Sequence, residues 1–310
     1  MHKEKEERIL QMVRERMPDT EIRPVEICKN NGCLRKGIRL FRKGNPKGVV
    51  VYWDGAEAAC GASCTEEEAA DYIRRAAEKE LPVMICGEDL QNWKKAKHMV
   101  SRKLVNHERN REQLQTLVHR RYLDLAEVYY LKIPIGEEGW GNGNIPVQFL
   151  EEWGIGAEKL AEQAETNMET EGYRIQSMKE FLAETFSREE ALLPEPPDTG
   201  LYLIQNRRRE FGAGVLSSRK LMKRFMEEVG ESCYILPSST HELLAVPSSM
   251  QPEPEALRSM VQEVNQTAVG PEEFLSDSVY YCHKDTGEVE LCGGCRAEAA
   301  AGLPDRLSGS

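Results

Sequence analysis

The sequence has no apolar run long enough to cross a membrane. Its longest, such as GVVVYW at Gly48–Trp53, is strand-sized and far below the roughly 18 residues that a spanning helix requires. The first residues, MHKEKEERILQMVRERM, lack the apolar centre of a secretion signal. They read as an amphipathic helix with Ile9, Met12, Val13 and Met17 on one stripe. A protein of the reducing cytoplasm is therefore expected. There is no GxSxG elbow, no HExxH and no DxDxDG, and the glycine-rich GWGNGN at Gly139–Asn144 lacks the Lys-Ser/Thr of a phosphate-cradling loop. These gaps remove the commonest local signatures of hydrolases, zinc enzymes, calcium sites and nucleotide sites, and no cofactor or metal is expected.

The 310 residues suit about two domains and bury a sizeable core without disulfides. Nine cysteines, an odd number scattered from Cys28 to Cys295, read as free thiols in such a compartment. The net charge of −11 disfavours a general nucleic-acid binder, yet it is uneven. Lys94–Arg121 holds nine Lys/Arg against two acids, and Glu151–Gly200 thirteen acids against four bases. Mutual attraction between these parts is preferred over a basic face for an anionic partner, because the molecule's own field is negative.

Alternating segments at Ile22–Cys28, Gly37–Arg42 and Gly48–Trp53, joined by KNNG and KGNPKG turns, predict a three-stranded meander. Thr65 and Glu68 form a capping box for a helix to about Glu78. LPVMIC then reads as a short strand, Glu88–Lys103 as a helix, KLVN as a brief extended stretch, and HERNREQLQTL as a helix capped by Asn106. Tyr122–Leu131 is a strand closed by a loop over GEEGWGNGN, and helices follow at Ala157–Asn167 and Ser177–Phe186. Beyond the proline-rich LLPEPPDTG come strands Leu201–Asn206 and Gly212–Leu216, helix Ser218–Val229, strands Cys233–Leu236 and His241–Val246, helix Glu253–Gln266, and the hairpin VYYCHKDTGEVEL. Paired strands between helices predict an α+β fold with mostly antiparallel sheets. The expected division is residues 1–105, residues 106–291 with an internal boundary near 194–200, and a disordered tail over 292–310.

Several stretches together, KNNG near Asn30, RKLVNHERNREQL, LDLAEVYYL, EEWGI, YILPSSTHELLAVP and VNQTAVGPEEFLSDSVYY, are similar to an uncharacterised bacterial family of unknown function. The resemblance covers about residues 1–291. It implies a bacterial protein often encoded near mobile genetic elements, and it brings no activity or ligand with it. CGASC and the CxxC tail depart from the family pattern.

The candidate residues are few. In LPSSTHELLAVP, Ser239 and His241 would share a face of an extended chain. No acid is placed to orient the histidine, and a turn in which Pro237, Ser238 and Ser239 make local bonds uses every residue. The turn is preferred. Arg102, Lys103, Asn106, Arg109 and Arg111 form a basic cluster. On a helix, Glu108 would pair with Arg111 and Glu112 with Arg109, whereas anion or nucleic-acid contact is the sharper alternative, joined by NRRRE at Asn206–Glu210 if the fold brings them together. The absence of aromatics from both runs weakens that alternative. Cys292 and Cys295 have zinc or redox spacing, but in the expected hairpin Cys292 lies opposite Val279 while Cys282 faces the other side, which opposes a closed site. The thiols of CGASC, Cys60 and Cys64, sit before three glutamates that oppose activation.

The reading is a non-catalytic interaction or regulatory protein whose partner, a protein or a nucleic acid, is left open. A hydrolase using Ser239 and His241, and a nucleic-acid-associated protein using residues 94–121, are its alternatives.

Overall fold

The structure is a computed structural model that describes residues 3–42, 48–61, 64–80, 90–135, 139–186 and 199–292. The chain forms two compact units, Met1–Asn92 with Lys132–Gly143, and Trp93–Leu131 with Asn144–Ser310. The residue 105/106 division expected from sequence falls at the end of a strand of the second unit. The KGNPKG turn, LPVMIC, the LLPEPPDTG linker and the tail after Cys292 lie wholly or mostly outside the described residues. Among the described residues, no helix is long and apolar enough to cross a membrane.

The first unit begins with α1 (Lys3–Arg16) and the antiparallel meander β1 (Thr20–Cys28), β2 (Leu34–Arg42) and β3 (Gly48–Tyr52), in the order β1-β2-β3. Strand alternation sends Ile22, Ile38, Leu40, Val49 and Val51 to one face. There they pack with Ile9 and Val13 of α1 and with Ala69, Ala70, Ile73 and Ala77 of α3 (Glu66–Glu80), which follows α2 (Trp53–Cys60). The small residues of α3 let it sit close to the sheet. The capping box is formed: Thr65 N–H donates to Glu68 Oε2 at 2.9 Å and Glu68 N–H to Thr65 Oγ1 at 3.2 Å, an arrangement worth about 1 kcal/mol.

The second unit opens with a single turn, α4 (Trp93–Ala96), and then β4 (Val100–Asn106). A helix is expected as far as Lys103, and only KLVN is expected to be extended. The strand forms instead because Val100–Val105 is buried on both faces, with Arg102 and Lys103 accommodated by partners inside the protein. The next expected helix is reduced to α5 (Arg111–Leu114). Asn106 Oδ1 accepts from Arg109 N–H at 3.0 Å and Asn110 Nδ2 donates to Asn106 O at 2.8 Å, so a side-chain turn competes with helix. The expected strand at Tyr122–Leu131 is a hairpin, β5 (His119–Tyr122) and β6 (Leu125–Ile135), turning through Leu123 at φ 55°. β6, whose last residues from Lys132 belong to the first unit, also pairs with β4 and with β7 (Gly139–Asn144), so GWGNGN is a strand and not a loop.

After α6 (Gln148–Trp153) and α7 (Ala157–Glu171), a six-stranded antiparallel sheet is assembled from β8 (Tyr173–Ser177), β9 (Tyr202–Asn206), β10 (Cys233–Pro237), β11 (Glu242–Pro247), β12 (Tyr280–Cys282) and β13 (Val289–Leu291). Its order is β13-β12-β10-β11-β9-β8. Helix α8 (Met178–Phe186) follows β8, α9 (Arg219–Val229) precedes β10, and α10 (Pro254–Thr267) follows β11. One sheet face packs Ile204, Ile235, Leu243 and Tyr280 on Leu221, Met222, Phe225 and Met226 of α9. The other packs Leu236, Val246 and Val279 on Leu257 and Val261 of α10. The α+β class with antiparallel sheets is thus observed. Cys292 N–H donates to Val279 O, as the expected hairpin register requires, and Cys282 lies on the opposite core.

Gly212–Leu216, expected as a strand, belongs to a 3-10 segment, Gly212–Ser217. A side chain on Gly212 would stand 2.4 Å from His241 O and 2.6 Å from Asn206 N. The segment is wedged against β4, where a side chain on Gly214 would meet Arg102 O at 3.0 Å.

Candidate functional site

The second unit gathers its unusual chemistry around β4. Arg102 is 3% exposed and Glu127, on the neighbouring β6, is 0% exposed. Arg120 on β5 donates to both Glu127 oxygens at 2.9 and 3.0 Å, and Tyr129 donates its hydroxyl to Oε2 at 3.3 Å. Arg102 Nη1 lies 3.7 Å from Glu127 Oε1, and its Nη2 lies 2.5 Å from Glu165 Oε2 on α7. The latter is an ion-pair contact without hydrogen-bond geometry, and Arg102 Nε has no hydrogen-bond partner among the described residues. Ser218 donates to the other Glu165 oxygen while accepting from Leu221 N–H at 3.2 Å as the N-cap of α9. A chain of charges and hydroxyls therefore ties β5, β6, β4, α7 and α9 together. Burial pushes the Tyr129 hydroxyl up to about 12, and the Glu127 carboxylate adds to the rise.

Beside it lies the segment Asn206–Gly212. Asn206 Oδ1 accepts from Arg208 and Glu210 N–H at 3.2 and 3.1 Å, and its Nδ2 donates to Glu210 O. Arg209 and Phe211 hold φ values of 58° and 54°, a left-handed conformation that costs a non-glycine residue about 1–3 kcal/mol. Phe211 is held from several sides, one of them the edge-on ring of Tyr130 at 5.2 Å. The Phe211 N–H donates to His241 Nδ1 at 3.1 Å, its ring stacks on His241 at 5.5 Å and 17°, and the Lys103 ammonium lies 4.3 Å from its centroid. Ser101, Arg102, Met168, Glu171, Asn206 and Phe211 line a cavity of about 10 Å³, room for roughly one water.

Several of the candidates from sequence lie beside this segment. Ser239 Oγ accepts from the His241 backbone N–H at 3.0 Å, a local turn bond. The His241 ring offers Nδ1 to Phe211, which places its proton on Nε2, and Nε2 lies 3.9 Å from Glu273 Oε1. Arg102, Lys103 and Asn106 are strand residues and not helix residues; Asn106 Nδ2 donates to Leu275 O at 3.0 Å. Arg109 lies 3.4 Å above the Phe274 ring instead of pairing with Glu112, whereas Arg111 is 3.5 Å from Glu108 as expected. NRRRE does come near: Arg208 Nε lies 3.3 Å from Glu171 Oε1 in the lining of the same cavity.

Sequence reasoning missed Glu127, Glu165, Arg120 and Phe211. Glu127 had a signal, a lone acid within the apolar strand LAEVYYL. A second polar cluster was also missed. Asp124 accepts from the hydroxyls of Ser276, Ser278 and Tyr280 at 2.6, 3.1 and 2.8 Å. Among the described residues no group of His, Cys, Asp or Glu is placed to hold a metal ion. Cys233 and Cys282 face each other across β10 and β12 as free thiols, each pushed up to about 12 by burial.

The arrangement defines an α+β protein whose buried charges are paired with one another. The chain belongs to a family of unknown function, DUF5688, matched over residues 3–284. No curated protein and no solved structure matches it.

Proposed function

We propose that this is a non-catalytic interaction or regulatory protein of the bacterial cytoplasm, a member of a family associated with mobile elements. The observation that carries the reading is the use made of His241. Its Nδ1 is taken by the Phe211 amide and its Nε2 faces Glu273, so neither ring nitrogen is directed to Ser239. A serine nucleophile needs such a base within hydrogen-bond reach. The neighbouring charges support the same reading, because Arg102 is ion-paired with Glu127 and Glu165 inside the fold. The facing thiols of Cys233 and Cys282 suit a reducing compartment.

The experiment is labelling of the purified protein with a fluorophosphonate probe, beside affinity capture from bacterial cytoplasm. The expected result is no label on Ser239 and a stoichiometric partner. Labelling that Ser239→Ala or His241→Ala abolishes in a folded protein would replace this reading with a hydrolase.

A further inference from the structure

The first unit carries a surface that the second does not share. Residues 20–52 hold eight Lys/Arg against two acids in a chain whose net charge is −11. The described strands sort those that they carry. With Ile22, Ile38, Leu40, Val49 and Val51 turned to the core, the opposite face receives Glu21, Arg23, Val25 and Ile27 from β1, Arg35, Gly37, Arg39 and Phe41 from β2, and Gly48, Val50 and Tyr52 from β3. Each aromatic stands across from a glycine: Phe41 is paired with Gly48 and Tyr52 with Gly37. A side chain on Gly48 would meet Phe41 Cδ1 at 2.6 Å, so the Phe41 ring lies over that glycine.

Cations surround both rings. Arg23 and Arg39 lie 5.2 and 5.8 Å from the Phe41 centroid, and Lys29 and Arg35 lie 4.6 and 4.3 Å from that of Tyr52. The face also holds two acids, Glu21 beside Arg23 and Asp54 bonded by Arg35 through both oxygens. Four cations against two acids leave it positive. Two rings four residues apart along the strands, roughly 13 Å, with guanidinium groups beside each, combine stacking platforms with phosphate partners. An acidic peptide would use the charge but not the rings, and a duplex keeps its bases stacked away from them.

We propose that the outer face of β1–β3 binds single-stranded nucleic acid, with bases stacked on Phe41 and Tyr52 and phosphates held by Arg23, Arg35 and Arg39. This deepens the interaction reading by naming the partner, and it rests on that reading. The site is separate from residues 94–121.

The test is fluorescence anisotropy of the full chain with labelled twelve-nucleotide oligo-dT and oligo-U. About three phosphate contacts predict affinity falling roughly 15- to 20-fold between 50 and 200 mM salt. Tyr52→Leu lowers affinity about 5- to 150-fold, the range for one stacking ring. Arg39→Glu, an exposed and fold-neutral change, lowers it as well, while Arg111→Glu leaves it unchanged; circular dichroism checks each variant's fold. No binding at 50 mM salt, or binding that survives Arg39→Glu and Tyr52→Leu, would overturn the proposal. Displacement by polyglutamate as effective as by unlabelled oligonucleotide would overturn it in favour of an acidic protein. None of these failures produces fluorophosphonate labelling of Ser239, which alone would sink the non-catalytic reading.

Discussion

Replacing Glu127 by Gln tests whether the buried charge chain holds the second unit together. Glu127 is wholly buried and faces two guanidinium groups of different exposure, with the Arg120 side chain 58% exposed and that of Arg102 3% exposed. Arg120 can turn to water, so its half of the interaction is worth about 0–1 kcal/mol. Arg102 cannot, and it keeps only Glu165. Leaving a buried charge short of its partner costs about 3–5 kcal/mol, and the amide nitrogen of Gln placed near Arg120 adds no compensation. With a urea dependence of roughly 2–3 kcal/mol per molar, the midpoint falls by about 1–2.5 M. Tryptophan emission in a Trp53→Phe/Trp140→Phe background reads the second unit through Trp93 and buried Trp153. The double change Arg102→Met, Glu127→Leu removes both charges and is expected to cost less than Glu127→Gln alone. A Glu127→Gln midpoint within about 0.3 M of the parent, or a double variant worse than the single, would refute the account.

Three further outcomes are expected. His241→Ala removes the acceptor of the Phe211 amide and its stacking partner; a loss of about 1–3 kcal/mol should appear in thermal melting, and an unchanged melt would show that the strained segment is held by something else. Gly212→Ala drives a Cβ against His241 O, so a marked fall in melting temperature is expected, and a neutral result would contradict the packing. Cys233 and Cys282, raised from 9.0 to about 12, should react with Ellman's reagent at pH 8 only as fast as the chain unfolds. Since the unfolded thiols release protons first, stability falls as pH rises from about 9 towards 12, a trend that Cys233→Ala/Cys282→Ala weakens in pH-dependent urea titrations.

The meander, the capping box and the α9, β10, β11 and α10 succession were legible because each has a local cause: alternation, an N-cap, a periodic apolar stripe. β4 was legible only in its KLVN half. Arg102 looked like part of a solvated helix, and Glu127 and Glu165, far away in sequence, make it strand interior. The 3-10 segment at Gly212–Ser217 was hidden for a related reason: its shape is imposed by His241, Asn206 and β4, none of them its sequence neighbours. Ser239 and His241 were readable as a turn since the bonds involved span two residues. The basic outer face of β1–β3 could have been found by applying the same alternation to Arg23, Arg35 and Arg39 as to the core residues opposite them.

The clamp on Asp124 bears on how the protein is made. Tyr280 follows Asp124 by 156 residues, and translation at roughly 5–20 residues per second separates their emergence by about 8–30 s. Throughout that interval the nascent β4–β6 sheet lacks the hydroxyls that close its turn, and β10, once made, lacks the neighbouring strand β12. A ribosome that stalls before Ser276 therefore releases a second unit with an open sheet edge, a natural client for chaperones and proteases.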